Sequence, residues 1–169
     1  MPNWQSFNKR VSQQINIAFE LLDDASTLPA DEQALLEAAM EASNGAYVPY
    51  SHFKVGCAVS LANGEVMTGN NQENPAFPSS LCAERTVLYY VGSQQKGDQL
   101  RKIAIRADSL DKPILAPVTP CGACRQVMLE YERQSGQPLV VLMQGKEGQI
   151  LKLKGVAASL LPFGFDIDF

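Results

Sequence analysis

The chain has 169 residues, of which 46% are hydrophobic and 19% charged, and its formal net charge is −4. This length fits one domain with a sizeable core, and the absence of a basic stripe argues against nucleic acid and favours a small-molecule substrate. No apolar run reaches the roughly 18 residues of a membrane span, and the N-terminus lacks a secretory pattern, so we expect a cytoplasmic protein that makes no membrane contact. Its four cysteines are then expected as thiols or metal ligands.

The first predicted element is an N-terminal helix. Apolar residues recur there at helical spacing, at Phe7, Val11, Ile15, Ala18 and Leu22. This spacing predicts an amphipathic helix over about residues 5–22. We expect it to belong to a helical extension, residues 1–30, that packs on a single domain spanning residues 1–169.

Helices and strands then alternate along the chain. A second helix contains Leu35 and Ala39 and is ended by Gly45. The Asn63-Gly64 pair is a strong hairpin signal between two strands. The elements predicted after the second helix are, in chain order, strands over 53–60 and 65–69, a helix over 83–91, a strand over 102–106, a helix over 122–133, and strands over 139–143 and 150–153. Strands interleaved with helices predict an α/β fold with helices on both faces of the sheet.

Three cysteines at the starts of two predicted helices have the spacing of metal ligands. Cys121 and Cys124 form a C-x-x-C pair, which points two sulfurs at one centre, and Cys82 can supply a third. Three protein ligands are typical of a catalytic zinc ion, which keeps its fourth position for water. Glu84, two residues after Cys82, is well placed to take the proton of that water. The combination has the form of the zinc-deaminase signature.

Other interpretations of the cysteines remain open. A C-x-x-C pair can be a redox pair, and single cysteines are often small buried hydrophobes. Cys57 lies in an apolar strand and is expected in the core, but it is also the candidate fourth ligand of a structural Cys₄ module. The only histidine, His52, lacks a ligand spacing and is expected at the surface or in hydrogen-bonded packing.

Two arginines follow predicted ligands directly. Three thiolates give a zinc site a net negative charge, so water bound there is a poorer acid than water at a zinc site with three histidine ligands. Arg85 and Arg125 could donate hydrogen bonds to the sulfurs and withdraw part of that charge. The alternative for each arginine is a solvated surface side chain.

Five motifs occur in a fixed order between Ala46 and Phe165. They are AYVPYSHFKVG at 46–56, GNNQEN at 69–74, CAERT at 82–86, PCGACRQ at 120–126, and LLP at 160–162 followed by Phe165. In sequence and order they resemble the small homo-oligomeric cytidine deaminases of pyrimidine salvage. The resemblance implies a three-layer α/β/α sandwich with a mixed central sheet.

The activity that the resemblance implies is hydrolytic deamination of cytidine and deoxycytidine to uridine and deoxyuridine, with release of ammonia. It implies one Zn²⁺ per chain, held by Cys82, Cys121 and Cys124. Glu84 would take the proton of the water, deliver it to ring N3 and later pass a proton to the departing amine.

The resemblance also implies how the nucleoside is held. The backbone N–H of Ala83 would bind the ring O2, and Phe53 would pack against the pyrimidine. Asn71 and Glu73 would bind the ribose hydroxyls. Read without the resemblance, Asn71 and Glu73 belong to an ordinary polar loop, although their alternation would let both face one pocket.

The resemblance further implies a homotetramer. Pro75 to Phe77 and Phe165 would complete a neighbouring subunit's site. The family commonly has alanine in place of Pro75, tyrosine in place of Phe77 and alanine in place of Cys57. These departures bear on assembly and sugar recognition more than on the chemistry. Two alternatives stay open: a deaminase of the same fold acting on another aminopyrimidine nucleoside, such as a nucleoside antibiotic, and more distantly the non-catalytic Cys₄ module.

Overall fold

The computed structural model describes residues 12–165, and these form a six-stranded sheet with helices on both faces. The strands are β1 (Glu20–Leu22), β2 (Phe53–Leu61), β3 (Val66–Asn70), β4 (Leu100–Ser109), β5 (Val140–Gln144) and β6 (Ile150–Lys154). The helices are α1 (Ala30–Ser43), α2 (Ala83–Ser93), α3 (Gly122–Ser135) and the short α4 (Val156–Ser159). Across the sheet the strand order is β1-β6-β5-β4-β2-β3. Only the β4–β5 pair is parallel within the described chain, so the sheet is mixed, as predicted.

The alternation of side chains along the strands divides the core into two layers. On one face, small and branched residues of three neighbouring strands pack with the apolar stripe of α1: Ala58, Ala104, Leu142, Leu35, Leu36 and Ala39. On the other face, residues one position away along the same strands pack with α2 and α3: Cys57, Ile105, Met143, Val87, Leu88 and Met128. Since successive strand residues point to opposite faces, this pattern confirms the three-layer α/β/α arrangement.

The predicted N-terminal helix is wrong over residues 12–22. Residues 12–19 have no regular secondary structure, and Glu20–Leu22 form β1, which pairs antiparallel with β6. The apolar residues of this segment also alternate with period two, at Ile15, Ile17, Phe19 and Leu21, and that period is typical of a strand. The rest of the predicted helix, residues 5–11, lies outside the described residues. The division into one domain and an extension over 1–30 stays a prediction.

The other predicted elements are confirmed within a few residues of their predicted ends. The hairpin between β2 and β3 turns at Asn63-Gly64, where Gly64 adopts a φ of 85° that a side chain would disfavour. Across residues 12–165, no helix is both long enough and apolar enough to cross a membrane.

Gly56 allows α1 to lie directly on β2. A Cβ atom at this position would lie 1.8 Å from the Ala39 carbonyl oxygen and 2.6 Å from the Ser43 amide nitrogen. Both neighbours are backbone atoms, so a side chain can be accommodated only if the helix moves away from the sheet.

We therefore expect Gly56→Ala to lower the free energy of unfolding by about 2–3 kcal/mol. Chemical denaturation of the wild type and the variant measures the difference. Gly122→Ala is the matched control, because the added methyl group meets no atom within 4 Å. Equal stability of the two variants would show that α1 can move away from β2 at little cost in free energy.

Candidate active site

The three candidate zinc ligands lie at the starts of two helices on the same face of the sheet. Cys82 is the residue that precedes α2, and Cys121 is the one that precedes α3. Cys124 is buried in the first turn of α3. Helix N-termini carry partial positive charge, which favours the thiolate form. Neither Cys82 nor Cys121 uses its side chain to cap its helix, so both sulfurs are available to a metal.

The sulfur atoms have the spacing that a single zinc ion requires. All three lie within 4.8 Å of one another, and those of Cys121 and Cys124 are 3.4 Å apart. Zinc–sulfur bonds of 2.3 Å in a tetrahedron place neighbouring sulfurs about 3.8 Å apart. Among the described residues, the side chains that lie close enough together to hold a metal ion are these three cysteines. Three ligands leave a tetrahedral position open for water.

Arg85, on α2, places a positive charge beside the sulfur of Cys82. Arg85 Nη2 donates to Cys82 Sγ at 3.5 Å. A hydrogen bond from the Cys124 thiol, together with Arg85, lowers the pKa of Cys82 to about 5, and the same contact raises the pKa of Cys124. Thiolates are the form of cysteine that binds zinc, so a lowered pKa at Cys82 favours metal binding.

The hydrogen bonds of Arg125 go to groups other than the sulfurs. Its Nε donates to the Pro120 carbonyl at 2.8 Å and its Nη1 to the Leu160 carbonyl at 3.2 Å, while Nη2 reaches the Thr119 hydroxyl at 3.4 Å. The guanidinium therefore fixes the loop that leads into Cys121, and ties it to the segment after α4, instead of donating to a sulfur. Position in the sequence could not separate these two possibilities.

Glu84 lies in the first turn of α2, two residues after Cys82, and is only 5% exposed. Burial raises the pKa of its carboxyl above the usual value, and the charge of Cys82 adds to the effect. A buried carboxyl with a raised pKa takes up and returns protons more readily near neutral pH than an exposed one. The site thus combines an acid/base group with an open metal position.

Cys57 does not belong to the sulfur group. It is fully buried in β2, on the sheet face covered by α2, and burial raises the pKa of its thiol well above the usual value. Because the metal-binding group has only three members among the described residues, the Cys₄ interpretation has no fourth ligand.

We expect Cys57→Ala to keep one zinc ion per chain and to cost about 1 kcal/mol of stability, because only a small buried group is lost. Metal analysis of dialysed protein measures the zinc. Loss of the metal in this variant would instead support the interpretation of the chain as a structural Cys₄ module.

Asn71 and Glu73 follow β3 and brace the segment that leads into β2. Asn71 Oδ1 accepts from the Val55 amide and its Nδ2 donates to the Phe53 carbonyl, each at 2.8 Å. Glu73 Oε2 accepts from the amides of Tyr50 and Ser51 at 2.9 and 3.3 Å. Hydrogen bonding to Ser51 and Tyr50 holds the pKa of Glu73 below its usual value. Each side chain keeps further capacity, a second N–H on Asn71 and Oε1 on Glu73, that a ligand could use.

The residues predicted to serve a neighbouring subunit are exposed in the single chain. Phe77 is 72% exposed, and its ring meets that of Tyr50 edge-on with centroids 6.2 Å apart. Phe165 is 71% exposed, and both polar groups of its backbone are bound by the side-chain amide of Gln126. Pro75 is exposed in the bend before Phe77. Exposure of these rings is compatible with a role in a second subunit, which stays a prediction.

Sequence reasoning assigned no function to the contact between His52 and Asp111. His52 Nδ1 lies 3.1 Å from Asp111 Oδ1, and the His52 backbone has a φ of 55°. The prediction that His52 is a hydrogen-bonded surface residue is confirmed. Its left-handed conformation has no sequence signal, because it depends on contacts with residues far along the chain.

Known proteins resemble the chain over most of its length. The family model described as "Cytidine and deoxycytidylate deaminase zinc-binding region" matches residues 29–137. A cytidine deaminase of Halalkalibacterium halodurans is 46% identical over 138 residues, which cover 82% of this chain and 96% of the relative.

Solved structures show the same similarity. A cytidine deaminase from Burkholderia pseudomallei has a TM-score of 0.69 and 36% identity, covering 79% of this chain and 98% of its own. One from Mycobacterium tuberculosis has a TM-score of 0.62 and 32% identity, covering 82% and 100%. The family match begins at residue 29, so β1 lies outside it.

Proposed function

The chain belongs to the cytidine and deoxycytidylate deaminase family, and we propose that it hydrolyses cytidine and deoxycytidine to uridine and deoxyuridine with release of ammonia. The observation that carries the proposal is the group of three sulfurs with the buried carboxyl of Glu84 on the same helix as Cys82. Cysteine ligands that leave one position open, together with an acid/base group, suit attack of water on an amidine-like carbon.

In this proposal the chain's residues divide the work of one hydrolysis. Cys82, Cys121 and Cys124 would hold Zn²⁺, which supplies an activated water when bound. Glu84 would accept the proton of that water and transfer it to ring N3, and it would then take the proton of the hydroxyl formed at C4 and pass it to the leaving amine. Arg85 would offset the negative charge of the three thiolates through its bond to Cys82.

Substrate positioning completes the proposal. The backbone N–H of Ala83, at the positive end of α2, would bind the ring O2. Phe53 would pack on the pyrimidine ring. Asn71 and Glu73 would contact the ribose through the N–H and the carboxylate lone pairs that remain available beside their bonds to residues 50–55.

Assembly and cellular role extend the same proposal. We place the enzyme in pyrimidine salvage, in the cytoplasm, as a homotetramer in which Pro75, Phe77 and Phe165 contribute to a neighbouring site. The exposure of Phe77 and Phe165 supports such an assembly, because large exposed aromatic rings are often contact residues.

The direct test is to mix purified, zinc-replete protein with cytidine and follow ammonia release together with the ultraviolet change to uridine. We expect turnover. No turnover from protein that holds one zinc per chain would point to another aminopyrimidine as substrate, and the same assay with such nucleosides would identify it.

Sugar recognition gives a separate prediction. We expect Glu73→Ala to lower kcat/KM for cytidine about tenfold or more, because a hydrogen bond to a charged group is lost. A cytidine analogue that lacks both the 2′- and the 3′-hydroxyl is the control substrate, since it cannot make that bond. If Glu73 served only to brace Tyr50 and Ser51, the variant would lose the same factor on both substrates.

A further inference from the structure

The turn that leads into β2 contains a conformation that needs outside support. His52 precedes Phe53 directly and has a φ of 55°, in the left-handed region that a residue with a Cβ rarely adopts. Its amide donates to the Val48 carbonyl at 3.2 Å, which closes the turn. Such conformations persist where surrounding contacts over-determine them, and they are concentrated at functional sites.

That support comes from the end of β4. Ser109 is the register partner of Phe53, and the next residue, Leu110, donates its amide to the His52 carbonyl at 2.9 Å. Asp111 then places Oδ1 3.1 Å from His52 Nδ1. The Asp111 amide in turn donates to the Ser109 hydroxyl at 3.2 Å, which ties the backbone of Asp111 to the end of β4. His52 is thus held by both its carbonyl and its ring.

The same turn is held on its other side by the proposed sugar-binding residues. Glu73 accepts from the amides of Tyr50 and Ser51, and Asn71 binds the carbonyl of Phe53. A rotation of the turn at His52 would therefore move the Phe53 ring and the carboxylate of Glu73 together. Those are the two groups proposed to contact the base and the ribose.

We propose that Asp111 is a positioning residue for the nucleoside: through His52 it fixes the turn that sets the places of Phe53 and Glu73. The inference rests on the proposed function for its kinetic consequence, but not for the contact itself. The contacts of Asp111 are with His52 and Ser109, and it lies on a different element from the zinc ligands and Glu84. Its loss should weaken substrate binding and leave the chemical step nearly unchanged.

The contribution of Asp111 to folding stability is expected to be small. The side chains of His52 and Asp111 are 48% and 67% exposed, and exposed side-chain contacts of this kind stabilise proteins little. An ion pair joins Lys96 and Glu65 at 2.7 Å at the opposite end of β2. Glu65→Ala therefore removes another side-chain contact near β2 without affecting the turn.

Steady-state kinetics with cytidine test the proposal. We expect Asp111→Ala to raise KM about three- to tenfold, with kcat changed less than about twofold and zinc content unchanged. Asp111→Asn should restore most of the affinity, because the amide oxygen still accepts from His52. Glu65→Ala should keep the KM of the wild type. An unchanged KM in Asp111→Ala, or an equal rise in Glu65→Ala, would overturn the proposal.

The His52→Gly variant is the background in which to test whether Asp111 acts through His52. Glycine adopts the left-handed conformation freely and has no ring for Asp111 to hold. Asp111→Ala should therefore add no further rise in KM to His52→Gly, whereas an unchanged additional effect would show that Asp111 acts elsewhere.

Hydrogen exchange separates this inference from the proposed function. We expect the amides of Tyr50 and Ser51 to exchange faster in Asp111→Ala than in the wild type or in Glu65→Ala. This readout needs no turnover. If the wild type were inactive on cytidine but exchange were faster in Asp111→Ala, the proposed function would be refuted and the role of Asp111 in fixing the turn would stand. Unchanged exchange in Asp111→Ala would refute that role.

Discussion

Glu84→Gln is expected to reduce kcat/KM for cytidine by about 10³-fold or more while the protein keeps its zinc and its fold. The amide has nearly the same size as the carboxyl, so the buried pocket around position 84 stays filled. What is lost is the ability to accept a proton from water and return it to the ring and the amine. Ammonia release measures the activity, and metal analysis and circular dichroism check the zinc and the fold.

Glu132→Gln is the matched control for Glu84. Glu132 is also a buried carboxylate, and it accepts hydrogen bonds from the amides of Leu139, Val156 and Ala157. Its replacement should lower stability and leave the kinetics of the folded enzyme intact, because it ties α3 to β5 and α4 away from the sulfurs. Retained activity in Glu84→Gln would remove Glu84 from the mechanism.

Cys124→Ala is expected to abolish tight zinc binding and, with it, turnover. Cys124 is fully buried in the first turn of α3, and only Cys82 and Cys121 would remain as ligands. Two thiolates do not complete even the three-ligand set of a catalytic zinc site. Dialysed variant protein should contain far less than one zinc per chain.

Thermal unfolding gives a second readout of the same change. A metal that binds only the folded state raises the melting temperature, so added zinc should stabilise the metal-free wild type and not Cys124→Ala. Cys57→Ala, which removes another buried cysteine, should respond like the wild type. A Cys124→Ala protein that keeps one tightly bound zinc would mean that a different residue completes the site.

The zinc site was more predictable from the sequence than the edge strand β1. The spacing of Cys82, Cys121 and Cys124 is a local pattern, and the helices that begin at these cysteines carry their own apolar periodicity. Each half of the ligand set is therefore visible in a short stretch of sequence, and the combined motif predicts that the two halves meet at one metal. Glu84 enters with Cys82 for the same reason, because both lie at one helix start.

Contacts between distant segments were not predictable. The residues around Ile15 to Leu22 fit a helical period and a strand period, and pairing with β6 selects the strand. Arg125 follows a ligand as Arg85 does, but carbonyls of the neighbouring loop and of Leu160 direct it away from sulfur. The left-handed His52 is contacted at its carbonyl by Leu110 and at its ring by Asp111. β6, Leu160 and Asp111 each lie far along the chain from the residues they contact, so local sequence could not reveal these contacts.

The position of β1 has a consequence for the order in which the protein is built. β1 lies near the amino end of the described chain, yet its sole partner strand is β6, near the carboxyl end. The segment must therefore remain without a partner while nearly all of the sheet is being synthesised. Closing so long a loop carries an entropic cost that only a largely formed sheet can offset. Of the six described strands, the first to be synthesised is thus the last one that can be placed.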